Sequence, residues 1–195
     1  MLVITKVLGA AEMVRLKWSR DLVRRFQVSS LQEVGCGYLV DSREAVANLV
    51  DSLLDLPASP LSIYINIKGV NLYRFGSISI LQILVLLPNK TYLVNFHVLK
   101  GNAFTIAGEA GQTLKDVLES VTIPKVFFNV QNDSDVLFSH FGIKLRVQDI
   151  QLMELATQMY NRKYVKGLSK YIENDQTITA SEKRTANSTE TIAVL

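Results

Sequence analysis

Asn66 and Lys68 stand two residues apart in the otherwise apolar run Ile63-Tyr-Ile-Asn-Ile-Lys68. In a strand, that spacing puts both side chains on one face. An amide can donate and accept, whereas a charged ammonium only donates. Two such groups at the end of a core strand present polar chemistry to a site. Asn129, Asn132, Asp133 and Asp135 form a second polar cluster, and Asp149 stands alone further on. In layered α/β proteins, sites form outside strand ends, so these three stretches can meet in space. Other polar residues have plainer readings. His97 and His140 lack a Cys or second His at metal-ligand spacing. Ser77 and Ser79 have no evident base partner, and Asp149 also suits a helix N-cap.

The elements that must position these groups are legible in the alternation of apolar residues. Ile63, Ile65 and Ile67 alternate with Tyr64, Asn66 and Lys68, and Ile78, Ile80 and Leu81 resume a second strand. Gly69 and Gly76 bracket the connection, which suggests special backbone angles there. Thr91–His97 reads as the next strand, joined through Pro88-Asn89-Lys90 and therefore antiparallel to its neighbour. Upstream, Gly37–Asp41 reads as a short strand. Asp41 then caps a helix with Glu44 completing a capping box, and Val46, Leu49, Val50, Leu53 and Leu54 give that helix its apolar face. Downstream, 98–112 reads as a loop and a helix starts near Thr113. Lys125–Val130 is a strand, Asp133 or Ser134 caps a helix ending at Gly142, Ile143–Val147 is a strand, and a helix follows from Asp149. This order predicts an α/β layered domain with a mixed sheet and helices on its faces.

The 195 residues suit one domain with flanking segments. Residues 1–37 form a basic segment in which Val14, Trp18, Leu22 and Phe26 recur at a helical spacing, and 174–195 turn polar and read as a mobile tail. The net charge of +3 is too small to argue for nucleic acid by itself. The single cysteine, Cys36, excludes an internal disulfide framework and favours a reducing, intracellular setting, nuclear or cytoplasmic. No apolar run is long enough to span a membrane, so no membrane partner is expected. Arg162, Lys163, Tyr164, Lys166, Lys170 and Tyr171 form a basic and aromatic patch that reads first as a solvated helix face.

Three pieces of the chain carry a resemblance. They are Ile65–Ile83, then Lys125–Leu137 with Phe141-Gly142, then Val147–Gln151. In this order and spacing they resemble the 3′–5′ exonuclease domains of the four-acid, ribonuclease D-like family within the ribonuclease H-like superfamily. The likeness covers about 38–173 and implies a ribonuclease H-like mixed sheet, with the strand from Ile63 and its next two neighbours antiparallel and later strands parallel. It also implies hydrolysis assisted by two metal ions, Mg2+ or Mn2+, flanking the scissile phosphate. By resemblance, Asn66 and Lys68 occupy two acid positions of the first motif, and Asp135 is the retained acid of the second. Lys68, Arg74 and Asn129 are the candidate nucleic-acid contacts. Tyr171 and Asp175 have the letters of the third motif but lie closer to Asp135 than the family spacing, which implies C-terminal truncation.

The departures fall on the chemistry. Hard divalent cations need anionic oxygen ligands. Here an amide and a cation stand in place of two carboxylates, and an ammonium about 4 Å from a divalent ion is repelled by roughly 1 kcal/mol per unit-charge pair even in water. Two-metal binding is therefore expected to be impaired. The first reading is an exonuclease-like domain that binds single-stranded DNA or RNA with hydrolysis lost or weak. The alternatives are an active two-metal 3′–5′ exonuclease, and a non-enzymatic interaction scaffold or the product of a decaying gene copy.

Overall fold

A computed structural model describes residues 37–57, 63–86 and 90–157, with isolated positions at 164, 165, 167, 170, 173 and 180. The alternating run that carries Asn66 and Lys68 is the strand β2, Ile63–Val70. It turns back into β3, Ser77–Val85, and then β4, Lys90–Asn95. Both steps are antiparallel. β1, Gly37–Val40, lies parallel to β4 on one flank. On the other flank β5, Lys125–Phe127, and β6, Gln148–Asp149, extend the sheet in parallel with β2. The sheet runs β1-β4-β3-β2-β5-β6, the mixed topology that the sequence predicts.

Alternation decides which face is core. Ile63, Ile65 and Ile67 face the same side as Leu81, Ile83, Val85 and Val94, and all are buried in one cluster. Helices α1, Arg43–Leu54, and α3, Leu114–Glu119, contribute Val46, Leu49, Leu53, Val117 and Leu118 to it. The opposite face carries Tyr64, Asn66 and Lys68, whose strand partners are Leu84, Gln82 and Ile80. Burial pushes the Tyr64 hydroxyl up to about 12. The polar pair thus sits on the non-core face, where exposure rises along β2 from buried Tyr64 to exposed Lys68.

Several local expectations are corrected. Ser42, not Asp41, caps α1, its hydroxyl accepting from the Ala45 amide at 3.2 Å. Gly69 and Gly76 are needed for space rather than for positive φ, which neither has. A Cβ at Gly69 would strike the Ser77 carbonyl, and one at Gly76 the Asn71 carbonyl. β4 ends at Asn95, whose side chain accepts from the amides of His97 and Val98 and starts a one-turn helix, α2, Phe96–Leu99. A short 3-10 helix, Lys100–Phe104, stands in the stretch read as a loop. Residues 143–147 form no strand; the strand there is only the two-residue β6.

Other signals hold. Thr113 caps α3 in a reciprocal box with Asp116, whose carboxyl is held low by the Thr113 hydroxyl and amide. Helix α4, Gln131–Phe141, ends at Gly142 in the left-handed region, φ +63°. Lys125 opens β5 fully buried, and its Nζ donates to the carbonyls of Val117, Ser120 and Ile123 at 2.7, 2.7 and 2.8 Å. That ammonium closes the C-terminal end of α3, although burial pulls it down to about 8.

Cys36–Ile150 make one compact unit. Beyond it, the helix α5, Ile150–Thr157, is described. No described helix is long and apolar enough to cross a membrane. The basic N-terminal segment up to Cys36, Arg162, Lys163, Lys166 and Tyr171 of the basic and aromatic patch, Asp175 and most of the polar tail lie outside the described residues.

Candidate nucleic-acid interface at the end of β2

Two carboxylates on α4 separate into two different places. β5 stops at Phe127, and Asn129 adopts a left-handed conformation, φ +57°, that turns the chain into the helix. An Asn tolerates that geometry better than most residues. The turn aims the amides of Asn129 and Val130 at Asp149, whose two carboxylate oxygens accept from them at 3.2 and 3.1 Å. Asp149 therefore ties β6 to the start of α4. The Asn129 side chain is exposed.

Because α4 begins at Gln131, Asp133 falls in its first turn, on the face of Val136 and Leu137. That face is buried, and Asp133 is only 7% exposed. Burial pushes its carboxyl up to about 7; Lys68 opposes this and Asp149 adds to it. Lys68, Asp133 and Asp149 thus share one electrostatic neighbourhood at the end of β2. Asn66 is half-buried one step back along the strand. The sequence carried a signal for this: Asp133, Val136 and Leu137 follow the i, i+3, i+4 pattern of a buried stripe.

Asp135, expected as the site acid, points elsewhere. Two residues along a helix rotate a side chain by about 200°. Its Oδ2 accepts from the backbone amide of Arg74 at 2.9 Å and from Arg74 Nε at 3.4 Å, and its Oδ1 pairs with Nη2 at 3.2 Å. Nε2–H of His140 donates to the Arg74 carbonyl at 3.0 Å. This clasp fastens the β2–β3 connection to α4. Arg74, expected as a nucleic-acid contact, directs Nε–H and one Nη2–H to Asp135.

The resemblance implies two divalent ions, which need several anionic oxygen ligands. Among the described residues, no group of three or more His, Cys, Asp or Glu side chains could hold a metal ion. The ammonium of Lys68 occupies the same neighbourhood as Asp133, and Asp149 is committed to two amides. These residues do not fit a pair of divalent cations.

The fold matches solved exonuclease domains. RNase D of Trypanosoma brucei in its GMP complex superposes with a TM-score of 0.61 at 22% identity, over 80% of this chain and 46% of that one. The chain has the fold of a 3′–5′ exonuclease domain. The same enzyme complexed with RNA U12 gives 0.53 at 22% identity, over 69% of this chain and 43% of that one. The EXO domain of Aedes aegypti Nibbler gives 0.55 at 12% identity, over 80% and 84%. This exonuclease-type chain spans less than half the length of the trypanosomal RNase D structures. No family model and no curated protein matches it.

Proposed function

We propose that this exonuclease-like domain binds single-stranded nucleic acid at the end of β2, and that metal-dependent phosphodiester hydrolysis there is lost or weak. The observation that carries the reading is the ammonium of Lys68 beside the buried Asp133. A cation stands where two metal ions would need anionic ligands, and it can hold a phosphate in their place. In this reading Asp133, not Asp135, takes the position of the second-motif acid. The RNase D fold likeness, with one relative solved on RNA and on GMP, supports a nucleic-acid ligand.

The test compares the parent chain with Asn66→Asp/Lys68→Glu by calorimetry with Mg2+ or Mn2+, and by hydrolysis of a 3′-labelled oligonucleotide. The reversion is expected to gain metal affinity and the parent to show little of either. Tight metal binding by the parent would overturn the loss of catalysis. For the binding half, Lys68→Glu should reduce affinity for a single strand and flatten its salt dependence by roughly one phosphate contact, a slope change of about 0.7. An unchanged slope would remove Lys68 as a phosphate clamp.

A further inference from the structure

Three exposed aromatic residues lie on the two elements that the Arg74–Asp135 clasp joins, the β2–β3 connection and α4. Tyr73 and Phe75 flank Arg74 in the chain and are 44% and 82% exposed. Their rings meet edge-to-face with centroids 5.9 Å apart. Phe138, 55% exposed, lies one turn beyond Asp135 on the same face of α4. Arg74, Asp135 and Phe138 line one open groove of about 510 Å3, with Asn132 and Lys144 also on its walls. Contiguous exposed apolar surface marks interaction sites.

The clasp gives the patch its chemistry. Asp135 engages the guanidinium through Nε and Nη2, along its edge. The planar faces of the guanidinium are left for stacking, as arginine does on aromatic surfaces. Its charge is already answered by the carboxylate, so the platform offers flat surface rather than net charge. The clasp also holds the connection at both ends of Arg74, through its amide and its carbonyl. The rings on either side are thereby presented with part of their ordering cost already met.

We infer that Tyr73, Arg74, Phe75 and Phe138 form a stacking platform for unpaired bases of a single strand, separate from the phosphate contact at Lys68. This rests on the nucleic-acid reading above and deepens it. Planar aromatic faces stack any base without sequence choice. A groove of this size admits a nucleotide, and Lys144 and Asn132 supply a cation and an amide at its rim for sugar and phosphate.

A single-stranded oligonucleotide carrying 2-aminopurine tests it on the full chain. Binding should quench the fluorophore. Phe138→Ala, and separately Tyr73→Ala with Phe75→Ala, should weaken binding by about five- to 150-fold and relieve the quench. The salt slope should stay as in the parent, since no phosphate contact is removed. Phe138→Leu, which keeps apolar bulk for folding, should behave like the alanine variant, and Phe138→Trp should restore both signals. Parent-like affinity and quench in the alanine variants, with Lys68→Glu still weakened, would overturn the platform and leave the strand-end site standing. That result would assign the rings to a protein surface instead. No binding by the parent would overturn both.

Discussion

Asp133 and Asp135 sit on one helix two residues apart, and they meet different surroundings. Asp135 is reached by donors: the Arg74 amide and guanidinium bond both of its oxygens. Asp133 is buried near a cation that attracts it without bonding it; among the described residues neither the Asp133 nor the Lys68 side chain makes a hydrogen bond or an ion pair. A carboxylate is comfortable as an anion where hydrogen-bond donors replace its lost water, and a charge held at a distance does not fully compensate. Asp135 is therefore a joint between loop and helix. Asp133 is instead a buried acid whose charged form costs the fold something.

The strongest way to break that comparison is to neutralise the buried acid. The Asp133 pKa is raised from 3.8 to about 7 by burial. Between those values the folded chain keeps a proton that the unfolded chain releases. The contribution of Asp133 to stability is therefore greatest at or below pH 4 and falls as pH rises towards 7, by up to about 4 kcal/mol for a shift near three units. Asp133→Asn should abolish this fall and leave the protein more stable than the parent at pH 8. Urea unfolding at pH 5 and pH 8 measures it. An identical pH dependence in parent and variant would mean that Asp133 is not the strained group.

Opening the clasp should cost less, because Arg74 and Asp135 are both partly exposed, with side-chain exposures of 60% and 30%. Charge-assisted bonds of this kind contribute about 1–2 kcal/mol after solvent screening. Asp135→Ala and Arg74→Ala should each destabilise by that order, and the double variant should cost little more than either single one. Additive losses in the double-mutant cycle would show that the two residues act separately. Neither variant should alter the pH dependence assigned to Asp133.

Much of the fold behind this comparison was legible, and the limit is physical. Alternation in Ile63–Lys68 placed Asn66 and Lys68 together on a strand face, and Gly142 marked the end of α4, because period and left-handed caps are local properties. The choice between Asp133 and Asp135 was not local in that way. It depends on where the helix begins, and β5 ended early at Phe127 with Asn129 making the turn. Beginning the helix at Gln131 instead of near Ser134 places Asp133 inside its first turn, on the buried stripe of Val136 and Leu137. The partner of Asp135 was out of reach for another reason: Arg74 lies 61 residues away, and no pattern within one element joins a hairpin connection to a later helix.

The smallest effect expected is also the most specific, since it acts on Asp133 only through space. Lys68 holds the Asp133 carboxyl below the level that burial and Asp149 would otherwise set. Lys68→Gln removes that attraction while leaving Asp133 in place. At pH 5 the buried acid carries its proton, so the ammonium has no charge to attract and stability should match the parent. At pH 8 the acid is ionised without its counter-charge, and stability should fall by less than about 1 kcal/mol, because Lys68 itself is exposed and screened. The titration midpoint of Asp133, followed by carboxyl carbon NMR, should move above 7. A downward or absent shift would mean that the ammonium does not reach the acid, and the phosphate-holding role proposed for Lys68 would lose its electrostatic basis.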